Sequence, residues 1–152
     1  MSKIEHPPSS LDNAMFGGKG CDAGIRRPDS VWLGKDRVVS VELDEHSHQD
    51  RVSECEVGKM YDQFVAWQTL LGCVSVFYVR FNPDEYDGTK TSVDERVEAV
   101  ARRVGYLLTM DITGYSTLAP HVEFHYYHSK AEKHVDAVRH APESFLFMGE
   151  NT

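Results

Sequence analysis

Two acidic residues occupy alternate positions at the end of a valine-rich run, Val38-Val39-Ser40-Val41-Glu42-Leu43-Asp44. β-Branched residues favour a strand, and alternate residues of a strand share a face, so Glu42 and Asp44 project together. A third acid, Asp29, follows Arg27-Pro28. Packing gives a valine strand no reason to carry paired acids, whereas a divalent cation does. Hard oxygen ligands of this kind suit Mg²⁺ or Mn²⁺.

A hairpin must bring these acids together. Gly34-Lys35-Asp36-Arg37 reads as the turn between strands near 27–33 and 37–44. With Lys35 and Asp36 as its central pair, residue i faces residue 71 − i, so Asp29 lies across from Glu42 and Arg27 across from Asp44. Directly opposed side chains share a face with Cβ atoms about 4.5–5.5 Å apart, and the diagonal Asp44 lies roughly 7–8 Å from Asp29. Opposed carboxylates repel unless a proton or a cation joins them. A one-residue slip would turn Asp29 to the other face. The plain alternative is a hairpin whose acids point to solvent.

The elements that follow build an α/β unit. The pattern predicts a helix from Glu54 to Leu71, with Ser53 as N-cap and Glu56 completing a capping box. Its apolar stripe is Val57, Met60, Phe64, Trp67 and Leu71, and Gly72 ends it. The nearly continuous apolar run Val74–Phe81 reads as a central strand covered on both faces, stopped by Asn82-Pro83-Asp84. Strand, helix and strand in this order predict a right-handed crossover and a parallel pairing. Ser92 and Glu95 form a second capping box, ahead of a helix with Val93, Val97, Val100, Val104 and Leu107 or Leu108 on one face. An edge strand is expected over His121–His128 and a short helix over Ala131–His140. Residues 1–20, rich in Pro, Ser and Gly, read as an irregular lead-in, and residues 21–152 as a single domain.

Composition bounds the function. A chain of 152 residues with 41% hydrophobic content can bury a real core and is not a disordered chain. No apolar run approaches the roughly 20 residues that span a bilayer, so no membrane partner is expected. Met1–Pro8 lacks the apolar core of a signal peptide. The odd set Cys21, Cys55 and Cys73 has no metal-type spacing and fits a reducing compartment, so the expectation is an intracellular, non-secreted protein. The net charge of −8 does not favour nucleic acid by itself, although Arg26, Arg27, Lys35, Arg37 and Arg51 could form a local basic rim for phosphates.

Other residues have two readings each. His46 and His48 follow the acidic strand and could ligate metal or act as a general base, or simply lie in a polar loop. Arg80 and Asn82 share a face at the carboxyl end of the central strand, where ligands gather in open α/β sheets. Arg80 could hold a phosphate in a bidentate contact, or pair internally with a nearby carboxylate. Lys59 lies about 130° from the apolar stripe on a helical wheel, which predicts a solvated lysine. Gln63 reads as a boundary residue. The scattered His121, His125, His128, His134 and His140 show no zinc spacing and read as surface residues.

Pro28-Asp29, twelve residues, then Glu42-Leu43-Asp44, followed by a helix and a central strand, resembles the core of the PD-(D/E)XK nuclease superfamily. Further blocks resemble a group of uncharacterised nuclease-like proteins of large DNA viruses and protists. They are Gly17-Gly18, Arg26–Asp29, Val41–His48, Glu54-Cys55-Glu56 with Lys59, Val79–Asp84 and Val122–Tyr127, covering roughly residues 16–128. The resemblance implies a restriction-endonuclease-like mixed β-sheet (hairpin, crossover helix, central strand) flanked by helices. It implies a metal-dependent endonuclease acting on DNA. Asp29, Glu42, Asp44 and the Leu43 carbonyl would hold Mg²⁺ or Mn²⁺. His48 would act as proton acceptor or orienting group, and Arg27, Arg80 and Asn82 would contact substrate. Asp44 stands where the superfamily usually has Lys, an amine that Lys59 of the following helix could replace, with Gln63 a further candidate. That departure keeps open a nuclease fold that only binds nucleic acid or protein, and a hydrolase of small phosphoesters is a third possibility. A chain this small would cut both strands of a duplex as a homodimer.

Overall fold

The computed structural model describes residues 10–11, 15–16, 25–26, 28–45, 53–85, 88–127, 132–140 and 145–151. These form an α/β fold with strands β1 (Ser10–Leu11), β2 (Met15–Phe16), β3 (Ile25–Arg26), β4 (Ser30–Leu33) and β5 (Arg37–Leu43), then helix α1 (Ser53–Leu71) and β6 (Ser75–Phe81). Helix α2 (Val93–Thr109), β7 (His121–His125), α3 (Glu132–Arg139) and β8 (Leu146–Asn151) complete them. Among the described residues the main sheet has the order β1-β4-β5-β6-β7-β8, and β2 pairs separately with β3. β1 and β2 lie in the segment expected to be an irregular lead-in.

The hairpin register follows the turn arithmetic. Ser30 pairs with Val41, Val31 with Ser40, Trp32 with Val39 and Leu33 with Val38. Every pair sums to 71, so continuing the ladder by one residue sets Asp29 opposite Glu42. Beyond α1 the chain returns in β6, parallel to β5, with Glu42 level with Arg80. Every residue of β6 is buried, as a central parallel strand requires.

Two cores cover the sheet. Val38, Val76, Tyr78, Val122 and Phe124 pack under Met60, Phe64 and Trp67 of α1 and Val135 and Val138 of α3. Val39, Val41, Phe77, Val79 and Phe81 pack under Val100, Val104 and Leu107 of α2. The alternation along each strand divides the two sets.

Helix ends follow local chemistry. Gly72 stops α1 at φ +83°, a conformation that favours glycine, and its N–H donates to the Gln68 carbonyl. The Ser92–Glu95 capping box opens α2 as expected. The inward face of α2 differs from the expected stripe: Val93 and Val97 are exposed and Arg96 is buried. The Arg96 guanidinium donates to the carbonyls of Pro83 and Asp84, so hydrogen bonding rather than apolarity sets the first turn of that face.

The expected edge strand is interior. β7 pairs in parallel with both β6 and β8, and the edge belongs to β8. Weak alternation in His121–His128 hid this, because polar side chains of β7 find partners inside the protein. Among the described residues no helix is long and apolar enough to cross a membrane.

Candidate functional site

Asp29 and Glu42 come at opposed positions where β4 begins and β5 ends. Asp29 Oδ2 accepts the Leu43 N–H at 2.7 Å. The N–H and C=O of a strand residue project to the same side, so the Leu43 carbonyl faces the Asp29 side of β5. The Asp44 N–H turns the other way and donates to the Phe81 carbonyl of β6.

Glu42 is 2% exposed. Its Oε2 accepts from Lys59 Nζ at 2.9 Å, while Oε1 is buried with no hydrogen-bond partner. Burial pushes the Glu42 carboxyl up to about 7, against the opposing pull of Lys59 and Arg80. Glu42 is therefore a buried carboxyl with a lysine on one oxygen and no partner on the other.

Lys59 corrects the expectation of a solvated side chain, being only 19% exposed. Apolar residues defined the inward face on the helical wheel, but the first turns of α1 lie over the polar end of β5. There the inward positions are Glu56 and Lys59, and further along the fully buried Gln63. Both Gln63 amide atoms, like Ser40 Oγ on the facing strand, are buried without a partner. Gln63 is thus an interior polar residue and not a boundary one.

Asp44 does not join Asp29 and Glu42. Its two oxygens take Arg80 Nε at 2.6 Å and Nη2 at 2.8 Å, and Tyr127 donates its hydroxyl to the same carboxylate. Arg80 Nη2 also reaches Glu56 Oε2 at 2.5 Å. The register explains the pairing: Arg80 is level with Glu42 on the same face, and its long arm reaches along the sheet to Asp44. Asp44 holds the Arg80 guanidinium charged in spite of its complete burial. Arg80 is therefore the centre of an internal ion-pair network and not a surface group that grips phosphate, and Glu56 is a partner in that network.

Asn82 is also turned inward. Its amide donates to the Tyr126 carbonyl at 3.0 Å and the Asp84 carbonyl at 3.3 Å, and accepts the Asp84 N–H. These bonds bracket the end of β6 against the chain beyond β7. Among the described residues no three His, Cys, Asp or Glu side chains converge as a metal-binding group. Arg27, His46 and His48 lie outside the described residues, as do the Ser53 side chain and its cap.

The histidines expected at the surface divide. His140 is exposed, but His121, His125 and His134 are buried. His121 stacks on Phe77 with ring centroids 4.8 Å apart. His125 meets Glu123, which Arg103 of α2 also holds. The sequence reading missed Glu123, Arg103 and Tyr127. The i, i+2 spacing of His121, Glu123 and His125 was the available signal for the first. Cys55 is disulfide-bonded, against the expectation of reduced thiols, and Cys73 is an exposed free thiol.

Compared with known proteins, the chain matches no protein-family model, no curated protein and no solved structure.

Proposed function

We propose that Asp29, Glu42 and Lys59 form the centre of a metal-dependent phosphodiesterase, a PD-(D/E)XK-like endonuclease acting on DNA. The order of hairpin, crossover helix and parallel central strand supports the finer, restriction-endonuclease-like reading of the α/β fold. The observation that carries the functional reading is the Lys59–Glu42 contact. It supplies, from the following helix, the amine that Asp44 replaces in the strand.

The residues fit a divalent cation. Glu42 Oε1 is a buried oxygen with no partner, Asp29 is a second hard donor beside it, and the Leu43 carbonyl faces the same side. Asp44 is excluded from the ligand set by its commitment to Arg80. When bound, Mg²⁺ or Mn²⁺ supplies Lewis-acid charge at the scissile phosphate and lowers the pKa of water. Asp29 and Glu42 hold and orient it. Glu42 must be ionised to do so, and the Lys59 ammonium favours that form. Lys59 also leaves a positive charge at the edge of the site for a phosphate. His48 and Arg27 remain the proposed proton acceptor and substrate contact on the hairpin side. Cutting both strands of a duplex would use a homodimer.

A plasmid-nicking assay with Mg²⁺ or Mn²⁺ tests the reading. Nicking by the wild type, lost in Asp29→Ala and Lys59→Met, supports it. Equal inactivity of the wild type and Asp29→Ala across metals and substrates sinks the catalytic claim. The locked Asp44 favours a second reading, a nuclease fold that only binds nucleic acid or protein. Calorimetric titration of Mn²⁺ into the wild type and Glu42→Ala separates the two, because the binding module takes up no ion at Glu42.

A further inference from the structure

Six buried side-chain nitrogen or oxygen atoms among the described residues have no hydrogen-bond partner, and four of them belong to Ser40, Glu42 and Gln63. Buried polar groups are otherwise nearly always paired, because an unpaired one gives up water and gains nothing in return. The exceptions gather on β5 and on the helix that covers it, and a ligand would account for them.

The register brings these residues together. Val38, Ser40 and Glu42 alternate along β5 and share the face under α1. Val38 packs with Met60, Phe64 and Trp67, and Glu42 receives Lys59. Ser40 stands between those two contacts, level with Tyr78 of β6. Helix α1 runs back along the sheet from the Glu42 end. The Met60 carbonyl accepts the Tyr78 hydroxyl at 2.8 Å, and Trp67 meets the Tyr78 ring with centroids 5.8 Å apart. Gln68 then donates to the Val74 carbonyl just ahead of β6. Gln63 lies four residues beyond Lys59, about 6 Å along the helix axis. Ser40 lies two residues back from Glu42, about 6.6 Å along the strand. The two steps match, so the fully buried Gln63 comes opposite Ser40, one step inward from Glu42. Helical side chains lean toward the helix N-terminus, which turns the Gln63 amide back toward the Lys59–Glu42 contact.

Ser40 and Gln63 are neutral, and their chemistry suits the waters of a cation better than the cation itself. Mg²⁺ dehydrates reluctantly and keeps several waters while one or two carboxylates bind it. The Gln63 Oε1 and Ser40 Oγ atoms can accept hydrogen bonds from such waters, and Gln63 Nε2 can donate to a further one. We propose that Gln63 and Ser40 are positioning residues for a hydrated Mg²⁺ held by Glu42, and that they engage the ion only through its water ligands. The inference rests on the reading of Glu42 as a metal ligand. It gives a reason for the interior to keep an amide and a hydroxyl that are unpaired within the protein.

Calorimetric titration of Mg²⁺ into the wild type, Gln63→Met, Ser40→Ala and Glu42→Ala, with urea unfolding of each, tests it. Gln63→Met roughly keeps the volume and removes an unpaired buried amide, so its metal-free stability should hold or rise. Its Mg²⁺ affinity should nevertheless fall about ten- to a hundred-fold, the common cost of losing a group that orients a metal's ligands. Ser40→Ala should act in the same direction. In the wild type, Mg²⁺ should shift the Gln63 side-chain amide NMR signals, identified by their loss in Gln63→Met. Amide signals that stay in place at Mg²⁺ saturation overturn the inference. So does wild-type affinity in both Gln63→Met and Ser40→Ala while Glu42→Ala has lost binding, and in that case the metal site itself stands. If the wild type takes up no Mg²⁺, or Glu42→Ala binds it equally well, the metal reading falls and this inference falls with it.

Discussion

Lys59 Nζ lies 2.9 Å from Glu42 Oε2 and so joins the second turn of α1 to the penultimate residue of β5. A parallel crossover brings the start of its helix over the carboxyl end of the preceding strand, where α/β sheets collect ligands. The contact thus follows from topology. It places one positive charge against a carboxylate that burial would otherwise keep protonated.

Removing that charge should raise the Glu42 midpoint above about 7, because Lys59 is the largest of the influences that lower it. We expect Lys59→Met to show this by ¹³C NMR titration of glutamate-labelled protein. The first unit of upward shift from about 7 lowers the ionised fraction at pH 7 about five-fold. Nicking at pH 7 should fall by at least that factor and recover partly at higher pH. An unchanged midpoint would remove Lys59 from the site.

The same carboxyl predicts how stability varies with pH. Its midpoint is about 7 in the folded protein against 4.5 for the free side chain, so the folded state holds the proton more tightly. Its contribution is fully present below about 4.5, declines as pH rises and is lost above about 7. The full decline is about 3 kcal/mol at 1.4 kcal/mol per unit. Urea unfolding of the wild type at pH 5 and pH 8 should show it, and Glu42→Gln should lack it. Mg²⁺ at pH 8 should restore stability to the wild type alone, because an ion that binds only the folded state stabilises it.

Arg80 should behave as a structural residue. Arg80→Met strands Asp44 and Glu56 in the interior without their cation. Breaking a buried pair from one side costs about 3–5 kcal/mol. Urea denaturation should read this loss, and Mn²⁺ affinity should fall only as far as the Glu42 midpoint rises without Arg80, recovering at higher pH. A variant as stable as the wild type that fails to bind DNA would return Arg80 to a phosphate-gripping role.

Asp29 and Asp44 should separate under the same conservative change. Asp44→Asn removes the charge opposing a buried guanidinium and should destabilise the fold, with little direct effect on Mn²⁺. Asp29→Asn can still accept the Leu43 N–H, so its stability should change by about 1 kcal/mol or less. Its Mn²⁺ affinity should fall at least about ten-fold. Parallel calorimetric and urea titrations distinguish the two. Equal loss of metal affinity in both variants would put Asp44 back among the ligands.

Much of this arrangement was legible in the sequence by itself. The turn at Lys35-Asp36 determines the hairpin register, because its central pair sets which residues of the two strands face each other. Valine-rich continuity marked β6 as central, and the Ser92–Glu95 box set the start of α2. All of these are local: a turn, a period or a cap depends on residues within a few positions. Tertiary structure alone decided which charges pair. Asp44 meets Arg80 rather than Asp29, Lys59 turns inward, and His125 finds Glu123 and Arg103. These partners lie on different elements, brought side by side by a parallel crossover. Whether a charged group stays in water or enters the core depends on the counter-charge waiting there, and hydrophobic periodicity carries no record of that.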